Sequence, residues 1–271
     1  MISTRQPGGK GRIWDFLGRL GGRTPAPAEI KSTADPASST EKVIYAVGDV
    51  HGRLDLLRRL EALIAADLAQ RQPMRSTLVM LGDYVDRGAD SKGVIEHLST
   101  RQRLCGEEIF LRGNHEQVLL DFLDDAGVLG SWCHFGGLET LYSYGLKPSL
   151  PLTPESQEEL RLALRRALPP QHLSLLQDTR LSFETDTHYF VHAGVNPRVS
   201  LTRQTAADLL WIRDDFLTST RRLEKVIVHG HTPREIPEVL PHRINVDTGA
   251  YATGRLSCAV LTGSHCQIIS T

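Results

Sequence analysis

Two carboxylates and an arginine are packed into the short stretch Leu81 to Gly88, directly after an apolar run. The stretch reads Leu-Gly-Asp-Tyr-Val-Asp-Arg-Gly, and glycine on either side allows a backbone bend in which a Cβ atom would clash. Asp83, Asp86 and Arg87 are therefore predicted to lie on a loop at the end of a buried strand. Acids and a base crowded at such a place cost stability but are useful for chemistry.

The same pattern recurs along the chain. Five short apolar strands are each followed by a loop that carries Asp, Asn or His beside glycine. The polar residues are, in chain order, Asp49 and His51, Asp83, Asn114 and His115, His192, and His231. One Gly-Asp or one His after a strand is usually a turn or cap residue, but five such loops together are not explained that way. Imidazoles, carboxylates and an amide without thiolates suit manganese, iron or zinc. The set is large enough for two ions, with Asp83 as the natural shared ligand.

The elements that must position these loops alternate in the first half of the chain. Short, β-branched apolar runs predict buried strands at residues 43–47, 77–80 and 108–111. Helical spacing of apolar residues predicts helices over 53–70, 91–98 and 116–123, with Ser91 as the N-cap of the second. Strands that alternate with helices predict an α/β layered arrangement.

Residues 124–179 break this alternation and carry no strand signal, so they are predicted to be a helical insertion over the site. Strand signals resume in the second half, at residues 181–183, 188–191, 226–228, 243–246, 256–261 and 267–269. The predicted fold class is α/β, of the mixed α+β kind, with two mixed β-sheets packed as a sandwich and helices outside.

The composition is that of an ordinary globular protein and sets broad limits on function. The 271 residues carry a formal net charge of −1, which gives no whole-chain attraction to nucleic acid. The four cysteines are scattered without a Cys-x-x-Cys pair, so reduced thiols are expected. No apolar run approaches the ~20 residues that span a bilayer, and no apolar signal core begins the chain. We therefore expect a cytoplasmic protein without transmembrane contact.

Residues 1–40 differ from the rest because they are rich in glycine, proline and serine. They are predicted to be a disordered or weakly ordered tail, and residues 41–271 to be one catalytic domain. Residues 13–20 could form an amphipathic turn or two and make a weak contact with a partner or a membrane surface. Docking of this patch on its own domain is favoured over that contact, because short isolated helices are marginal in water.

The five loop motifs, taken in order, resemble those of a known enzyme family. Gly-Asp-x-His-Gly, Gly-Asp-x-x-Asp-Arg-Gly, Gly-Asn-His-Glu, His-Ala-Gly and Gly-His-Thr look like the calcineurin-like metallophosphoesterases, most closely the bacterial PPP-type serine/threonine phosphoprotein phosphatases. The match spans residue 43 to about residue 250. The resemblance implies two divalent ions, with Mn²⁺ expected and iron or zinc as alternatives. It implies that the first ion is held by Asp49, His51 and Asp83, and the second by Asp83, Asn114, His192 and His231.

The resemblance also implies the roles of the residues around the metals. His115 would be the general acid, with Asp86 as its orienting partner, and Arg87 and Arg213 would bind the phosphate oxygens. The chemistry fits these residue types. Protonation of a departing oxygen by a histidine is worth about 10²–10⁴-fold in rate, and an arginine fork makes bidentate phosphate contacts that lysine cannot copy.

Three functions are consistent with the sequence. The first is a phosphomonoesterase for phosphoserine and phosphothreonine in proteins, with phosphotyrosine as a further substrate, which uses in-line attack by a metal-bridging hydroxide. The second is a dinucleoside polyphosphate hydrolase, such as a diadenosine tetraphosphatase, because residues 130–145 look like that group while Asp86-Arg87 departs from it. The third is a non-catalytic metal-binding interaction module. Phosphorylated protein or peptide is the expected partner, and nucleic acid is not.

Other polar residues are predicted to be structural. His229 lies two residues before His231 and is expected to pack beside the site. Glu116 is interpreted as a helix-start acid, and Arg112 as a solvated charge. Two interpretations of Asp247 remain open, namely a contribution to the metal site and an Asx turn. The remaining histidines are expected at the surface or in packing, and they are His97, His134, His172, His188, His242 and His265.

Overall fold

Two five-stranded β-sheets position the loops identified above. The computed structural model describes residues 42–148 and 151–271, so the predicted tail at residues 1–40 lies outside the described residues. The strands are β1 Lys42–Val47, β2 Arg75–Met80, β3 Glu107–Phe110, β4 Ser182–Glu184, β5 His188–Val191, β6 Val226–His229, β7 Glu238–Val239, β8 Arg243–Asn245, β9 Ser257–Thr262 and β10 His265–Ser270. The helices are α1 Leu54–Arg71, α2 Ser91–Thr100, α3 Asn114–Asp124, α4 Leu129–His134, α5 Gly137–Ser143, α6 Pro154–Ala167, α7 Pro170–Gln177, α8 Ala206–Trp211, α9 Asp214–Leu217 and α10 Ala250–Thr253.

Parallel pairing brings the carboxyl ends of the functional strands to one edge of each sheet. The first sheet has the order β10-β9-β1-β2-β3, and β1, β2 and β3 are parallel. The second sheet has the order β4-β5-β6-β8-β7, and β5, β6 and β8 are parallel. The strands β4 and β5 pair with each other in antiparallel orientation.

Successive side chains of a buried strand point into two different apolar clusters, as the period of two in a strand requires. Ile44 and Ala46 of β1 pack into a cluster with Phe190 and Val228 of the second sheet. Tyr45 and its neighbours on the other face of β1 pack into a separate cluster with the helices. This arrangement confirms the predicted sandwich of two mixed sheets with helices outside.

The described part of the insertion is mainly helical, as predicted, and it packs on the front half of the chain. The helix α5 contacts α2, and α4 and α6 contact α3. Trp132 of α4 is fully buried and contacts Phe122 of α3, with ring centroids 5.1 Å apart. The insertion is therefore fixed against α2 and α3, which follow the second and third functional loops.

Two local predictions need correction, and two short elements were not predicted. The helix α3 begins at Asn114 instead of Glu116, which places Asn114 and His115 in its first turn. Asp90, not Ser91, is the N-cap of α2, because its carboxylate accepts a hydrogen bond from the Gly93 N–H at 2.9 Å. The short elements β7 and α10 were not predicted, since two to four residues are too few to show a period.

A bilayer-spanning helix is not found in residues 42–148 and 151–271, where no helix has both the length and the apolar character required.

Candidate metal centre and active site

The six residues predicted to hold metal all lie buried at the ends of parallel strands. Asp49 and His51 follow β1, Asp83 follows β2, Asn114 follows β3, His192 follows β5 and His231 follows β6. Each is at most 4% exposed. Because both sheets present the carboxyl ends of these strands to the same place, residues far apart in sequence converge on one centre.

Asp83 stands between two groups of imidazoles. His51, Asp83 and His115 form one group of potential ligand atoms, and Asp83, His192 and His231 form another. The Asp83 Oδ2 atom is 3.5 Å from the His51 Nε2 atom, and the Asp83 Oδ1 atom is 3.4 Å from the His192 Nε2 atom. One carboxylate thus offers an oxygen to each side, which is the geometry that a shared ligand requires.

The imidazoles are held in the tautomer that suits metal binding. The Nδ1 atom of His51 is 2.8 Å from the Val85 carbonyl oxygen, and that of His192 is 3.0 Å from the Leu81 carbonyl oxygen. An Nδ1–H group that donates to a carbonyl leaves the lone pair on Nε2. The Nε2 atom of His51 is buried without a hydrogen-bond partner among the described residues, as is that of His231. A buried, unpaired nitrogen of this kind fits a metal ligand.

Electrostatics favours the same interpretation. Burial lowers the pKa of His51 to about 3 and that of His231 to about 2, so both rings are neutral near pH 7. Burial alone would raise the pKa of Asp83, but the surrounding His192, His115 and His51 outweigh it and lower the pKa. Neutral imidazoles and an ionised carboxylate are the protonation states that metal binding needs.

Crowded acids give the centre an excess of negative charge. Burial, together with the charges of Asp247 and Asp83, raises the pKa of Asp49 well above its ordinary value. Burial raises the pKa of Asp247 to about 6. Two divalent cations would compensate these charges, since bound cations invert the local pKa pattern. The donor set and its charge therefore fit a dinuclear site of the manganese, iron or zinc type.

Asp49 differs from the other predicted ligands in its contacts. It is not in either group of converging ligand atoms, and its carboxylate accepts a hydrogen bond from the His231 backbone N–H at 3.1 Å. Asp247 also has the predicted Asx contact, because its Oδ1 atom accepts from the Gly249 N–H at 2.8 Å. Both carboxylates thus brace the loops around the centre as well as adding charge to it.

His115 is bound to Asp86 and lies beside Arg87. Its Nδ1 atom is 2.6 Å from the Asp86 Oδ2 atom, and its Nε2 atom is 3.1 Å from the Arg87 Nη2 atom. Burial alone would lower the pKa of His115, but the Asp83 charge and the hydrogen bond to Asp86 outweigh it and raise the pKa. This ring is therefore set apart from His51, His192 and His231, whose pKa values are lowered. The predicted general acid and its orienting carboxylate are in direct contact.

The helical insertion supplies two further hydrogen bonds to Asp86. The Thr140 hydroxyl donates to the Asp86 Oδ1 atom at 2.6 Å, and the Trp132 Nε1–H donates to the Asp86 Oδ2 atom at 2.9 Å. Neither residue was assigned a role from the sequence, because nothing local indicates which loop an inserted helix will touch. A buried carboxylate with three partners is fixed in position, which fixes the orientation of the His115 ring.

We expect Thr140→Val to lower kcat about 10-fold or more, because outer hydrogen-bond partners of such sites typically contribute 10–100-fold. Valine keeps the shape of threonine and removes the hydroxyl that binds Asp86. Thr140→Ser is the matched control, since it retains the hydroxyl. Steady-state kinetics on a phosphate monoester and the bound metal per chain are the measurements. Equal activity of the two variants would contradict the role of this hydrogen bond.

Glu116 is a first-turn acid of α3, as predicted, and it also connects two of the functional loops. Its Oε2 atom accepts from the backbone N–H groups of Asp83 and Gly113, each at 2.8 Å. Its Oε1 atom accepts from the Tyr84 N–H at 2.7 Å. A fully buried carboxylate therefore holds the Asp83 loop against the start of α3. Its place directly after Asn114-His115 was the only sequence signal for this role.

Backbone strain is concentrated at the same loops. Among the described residues, six non-glycine residues have positive φ, and five of them belong to the site: His51, Asp83, Asp86, Arg87 and His231. Such conformations cost of order 1–3 kcal/mol each and persist where the surrounding structure enforces them. Gly88 allows the close approach this requires, because a Cβ atom there would collide with the His51 carbonyl oxygen. The strain marks these loops as functional rather than merely connecting.

The two predicted phosphate-binding arginines differ in how closely they contact the centre. The Arg87 N–H donates to the Gly136 carbonyl oxygen at 3.0 Å, which ties its loop to the insertion. Arg213 is exposed, and its charge contributes to the lowered pKa values of His192 and His231. Arg87 thus lies beside the acidic cluster, and the positive charge of Arg213 also acts on its histidines.

The structure also shows the contacts of several residues outside the predicted site. His229 packs its ring edge against Phe216, with centroids 5.1 Å apart, in line with its predicted packing role. Arg112 is not a simple solvated charge, because its guanidinium donates to the Thr179 hydroxyl at 2.9 Å. His134 is exposed, as predicted, and it lines a cleft beside Arg87.

Comparisons with known proteins indicate a family of phosphoesterases. A model of the calcineurin-like phosphoesterases matches residues 42–259. The chain is 28% identical over 224 residues to bis(5'-nucleosyl)-tetraphosphatase PrpE of Bacillus thuringiensis, which covers 78% of this chain and 87% of that protein. It is 27% identical over 225 residues to serine/threonine-protein phosphatase 2 of Escherichia coli, which covers 79% of this chain and 90% of that protein.

The fold is also found among solved structures. The cold-active protein-tyrosine phosphatase of a psychrophilic Shewanella superposes with a TM-score of 0.54 at 16% identity, covering 85% of this chain and 82% of that chain. At this identity the likeness concerns the fold alone. The named relatives act on different phosphate compounds, so the choice of substrate must be argued from the site.

Proposed function

The chain belongs to the calcineurin-like phosphoesterases, and from that premise we propose that it is a metal-dependent phosphatase of phosphorylated proteins. The proposed reaction is hydrolysis of a phosphate monoester on a protein side chain, with phosphoserine and phosphothreonine as the substrates that the motifs favour. The observation that carries the proposal is the contact of His115 with both Asp86 and Arg87 beside the shared Asp83.

The proposed metal ligands are Asp49, His51, Asp83, Asn114, His192 and His231. Two divalent cations held there, with Mn²⁺ proposed, would neutralise phosphoryl oxygens and lower the pKa of a water molecule between them. The buried, strained loops hold their donors in place before substrate arrives, which lowers the cost of reorganisation in the reaction.

The residues around the metals perform the proton transfer and hold the ester. Asp86 accepts the Nδ1–H of His115, so Nε2 is the ring nitrogen that would pass a proton to the departing oxygen. Arg87 lies next to that nitrogen and offers its fork to the phosphoryl oxygens, and Arg213 offers a second. The phosphate is thereby oriented with its leaving oxygen on the His115 side.

Hydrolysis of dinucleoside polyphosphates is the second candidate, and the similarity to tetraphosphatase PrpE favours it. The Asp86-Arg87 pair supports the protein phosphatase instead, because it matches the protein-phosphatase version of the motif. The two candidates share the metal centre and differ in what lies beyond the scissile phosphate.

The test is phosphate release by the purified full-length protein with Mn²⁺, with phosphopeptides and diadenosine tetraphosphate compared side by side. A preference for phosphopeptides that is lost on chelation would support the proposal. A preference for the dinucleotide would support the second candidate. Bound metal without turnover of any ester would instead indicate a non-catalytic binding module.

A further inference from the structure

The partly exposed side of the centre, called the mouth below, is bordered by Arg87, Phe135 and Tyr251. These three residues line one cleft of about 470 Å³. Tyr251 is 38% exposed, while Ala250 directly before it is fully buried. No role for Tyr251 follows from the sequence, because it lies in α10, which is too short to show a period. Its contacts in the structure do indicate a role.

Three features fix the short helix that carries Tyr251. Gly249 begins α10 with a φ of 63°, a backbone conformation that favours glycine. The Asp247 carboxylate accepts a hydrogen bond from the Gly249 N–H at 2.8 Å, and the Arg53 guanidinium donates to the Ala250 carbonyl oxygen at 2.9 Å. A helix of four residues is not stable in isolation, so these contacts are what place the Tyr251 ring.

The Tyr251 ring contacts two residues of the centre. The Arg87 guanidinium carbon lies over the ring, 4.9 Å from its centroid. The His51 ring meets it edge to face, with centroids 5.3 Å apart and an interplanar angle of 86°. His51 is also oriented by its own hydrogen bond to the Val85 carbonyl oxygen at 2.8 Å. The contact that depends most on Tyr251 is therefore the one with Arg87, and it is made by the ring and not by the hydroxyl group.

Arg87 needs support that leaves its N–H groups free for phosphate. Within residues 42–148 and 151–271 its guanidinium makes two hydrogen bonds, from Nε to the Phe135 carbonyl oxygen at 3.5 Å and between Nη2 and the His115 Nε2 atom at 3.1 Å. The first of these is longer than an ordinary hydrogen bond. A carboxylate beside the guanidinium would hold it more firmly, but it would occupy the donors that bind phosphate.

A ring face holds a guanidinium without using any of its donors. The cation is attracted to the negative face of the aromatic ring, so the contact needs no N–H group. The backbone of Arg87 is already fixed in the left-handed region, with a φ of 66°. Tyr251 extends this fixed placement to the end of the side chain. A phosphate-binding group that is oriented before the substrate arrives loses less in reorganisation.

On the basis of the function proposed above, we propose that Tyr251 is a positioning residue whose ring face holds the Arg87 fork in the orientation that binds the phosphoryl group. Tyr251 acts through Arg87 and does not touch the reacting atoms. Its contribution should therefore be the same for every phosphate compound that the centre accepts, because Arg87 meets the phosphoryl group that these compounds share.

The direct test is calorimetric binding of inorganic phosphate to the full-length, Mn²⁺-loaded protein, because phosphate meets Arg87 without a leaving group. Tyr251→Leu should weaken this binding about 3- to 10-fold, a range set by cation–aromatic contacts at partly exposed sites. Tyr251→Phe keeps the ring and should change the binding less than about twofold. Tyr142→Leu is the matched control, since Tyr142 is a 53% exposed tyrosine of α5 that does not line the cleft.

Fluorinated analogues separate the charge of the ring face from the shape of the ring. Tyr251→Phe is compared with replacement of Tyr251 by difluorophenylalanine and by pentafluorophenylalanine, which withdraw electron density from the ring face with little change in size. Phosphate affinity should fall as the number of fluorine atoms rises, because the attraction to the Arg87 cation weakens. Equal affinity along the series would indicate packing alone and would overturn the inference.

A double-mutant cycle shows whether Tyr251 acts through Arg87. Arg87→Gln removes the cation, so the addition of Tyr251→Leu to that variant should change phosphate affinity less than about twofold. Independent, additive losses would contradict the proposal. Metal content should equal that of the wild type in Tyr251→Leu, because the hydrogen bond to Val85 still orients His51. Loss of metal would assign the effect to His51 and would also overturn the inference.

Turnover separates this inference from the proposed function. Tyr251→Leu should lower kcat/KM by the same factor for a phosphothreonine peptide and for diadenosine tetraphosphate. A loss on one substrate alone would mean that the ring contacts its organic part, and the positioning role would be wrong. A preference of the wild type for the dinucleotide would contradict the proposed function and leave the role of Tyr251 standing. Failure of the wild type to bind phosphate would overturn the role of Arg87 and this inference together.

Discussion

Replacement of Asp83 by Asn should abolish phosphatase turnover, with a loss of at least about 10³-fold, since electrostatic stabilisation is usually the largest catalytic contribution. The two Asp83 oxygens face His192 and His51 from opposite sides. Asparagine keeps the size of the side chain but removes the negative charge and replaces one oxygen with a donor. Both proposed metal positions should therefore lose affinity at the same time.

The direct measurement for this variant is metal content, by elemental analysis after dialysis against Mn²⁺. Metal-dependent thermal stabilisation provides a second measurement, because a ligand at about 1,000 times its Kd stabilises the folded state by about 4 kcal/mol. That stabilisation should disappear in Asp83→Asn. Asp186→Asn, on the exposed turn between β4 and β5, is the matched control and should behave as wild type. Near-normal turnover of Asp83→Asn would contradict a dinuclear mechanism.

Replacement of His115 by Asn should lower kcat about 10²–10⁴-fold on esters with poor leaving groups, the range that general acid catalysis contributes. Alkyl phosphates leave as strongly basic alkoxides and need the proton, while p-nitrophenyl phosphate leaves as a stable anion. The variant should therefore lose far less activity on the aryl substrate. A plot of log kcat against leaving-group pKa should be steeper in the variant than in the wild type.

Metal content distinguishes the proposed acid from a further ligand, since His115 belongs to one of the groups of converging ligand atoms. Two contacts favour the acid: Asp86 binds its Nδ1 atom, and the Arg87 cation lies 3.1 Å from its Nε2 atom, where a metal would be repelled. The variant should thus retain wild-type metal content. Loss of one ion per chain, or an equal loss of activity on aryl and alkyl esters, would contradict the acid role.

The sequence by itself determined the class of fold and the residue types of the centre. Each β-branched run such as Val43–Val47 has a local signature, and the Gly-flanked polar loop that follows it is local too. Parallel strands place their carboxyl ends at one edge, so the convergence of Asp83 with His192 and His231 could be expected once the strands were identified. The prediction that Asp83 is shared between two ions followed from its carboxylate chemistry.

The sequence alone did not determine which hydrogen bonds hold the site residues in position. Trp132 and Thr140 reach Asp86 from 46 and 54 residues away, respectively, and a helix has no local signal for the distant loop that it will contact. Glu116 looked like an ordinary first-turn acid until its hydrogen bonds to the backbone of Asp83 and Tyr84 were seen.

The shape of the mouth likewise depends on the tertiary structure. Phe135 and Tyr251 are 116 positions apart in the chain and yet line one cleft beside Arg87. Local spacing fixes which residues share a strand end, since neighbours are held together by covalent geometry. Which surfaces meet is decided by the packing of the insertion and the second sheet against the first. The sequence therefore predicted which residues converge at this centre, and the packing of distant segments decided what surrounds it.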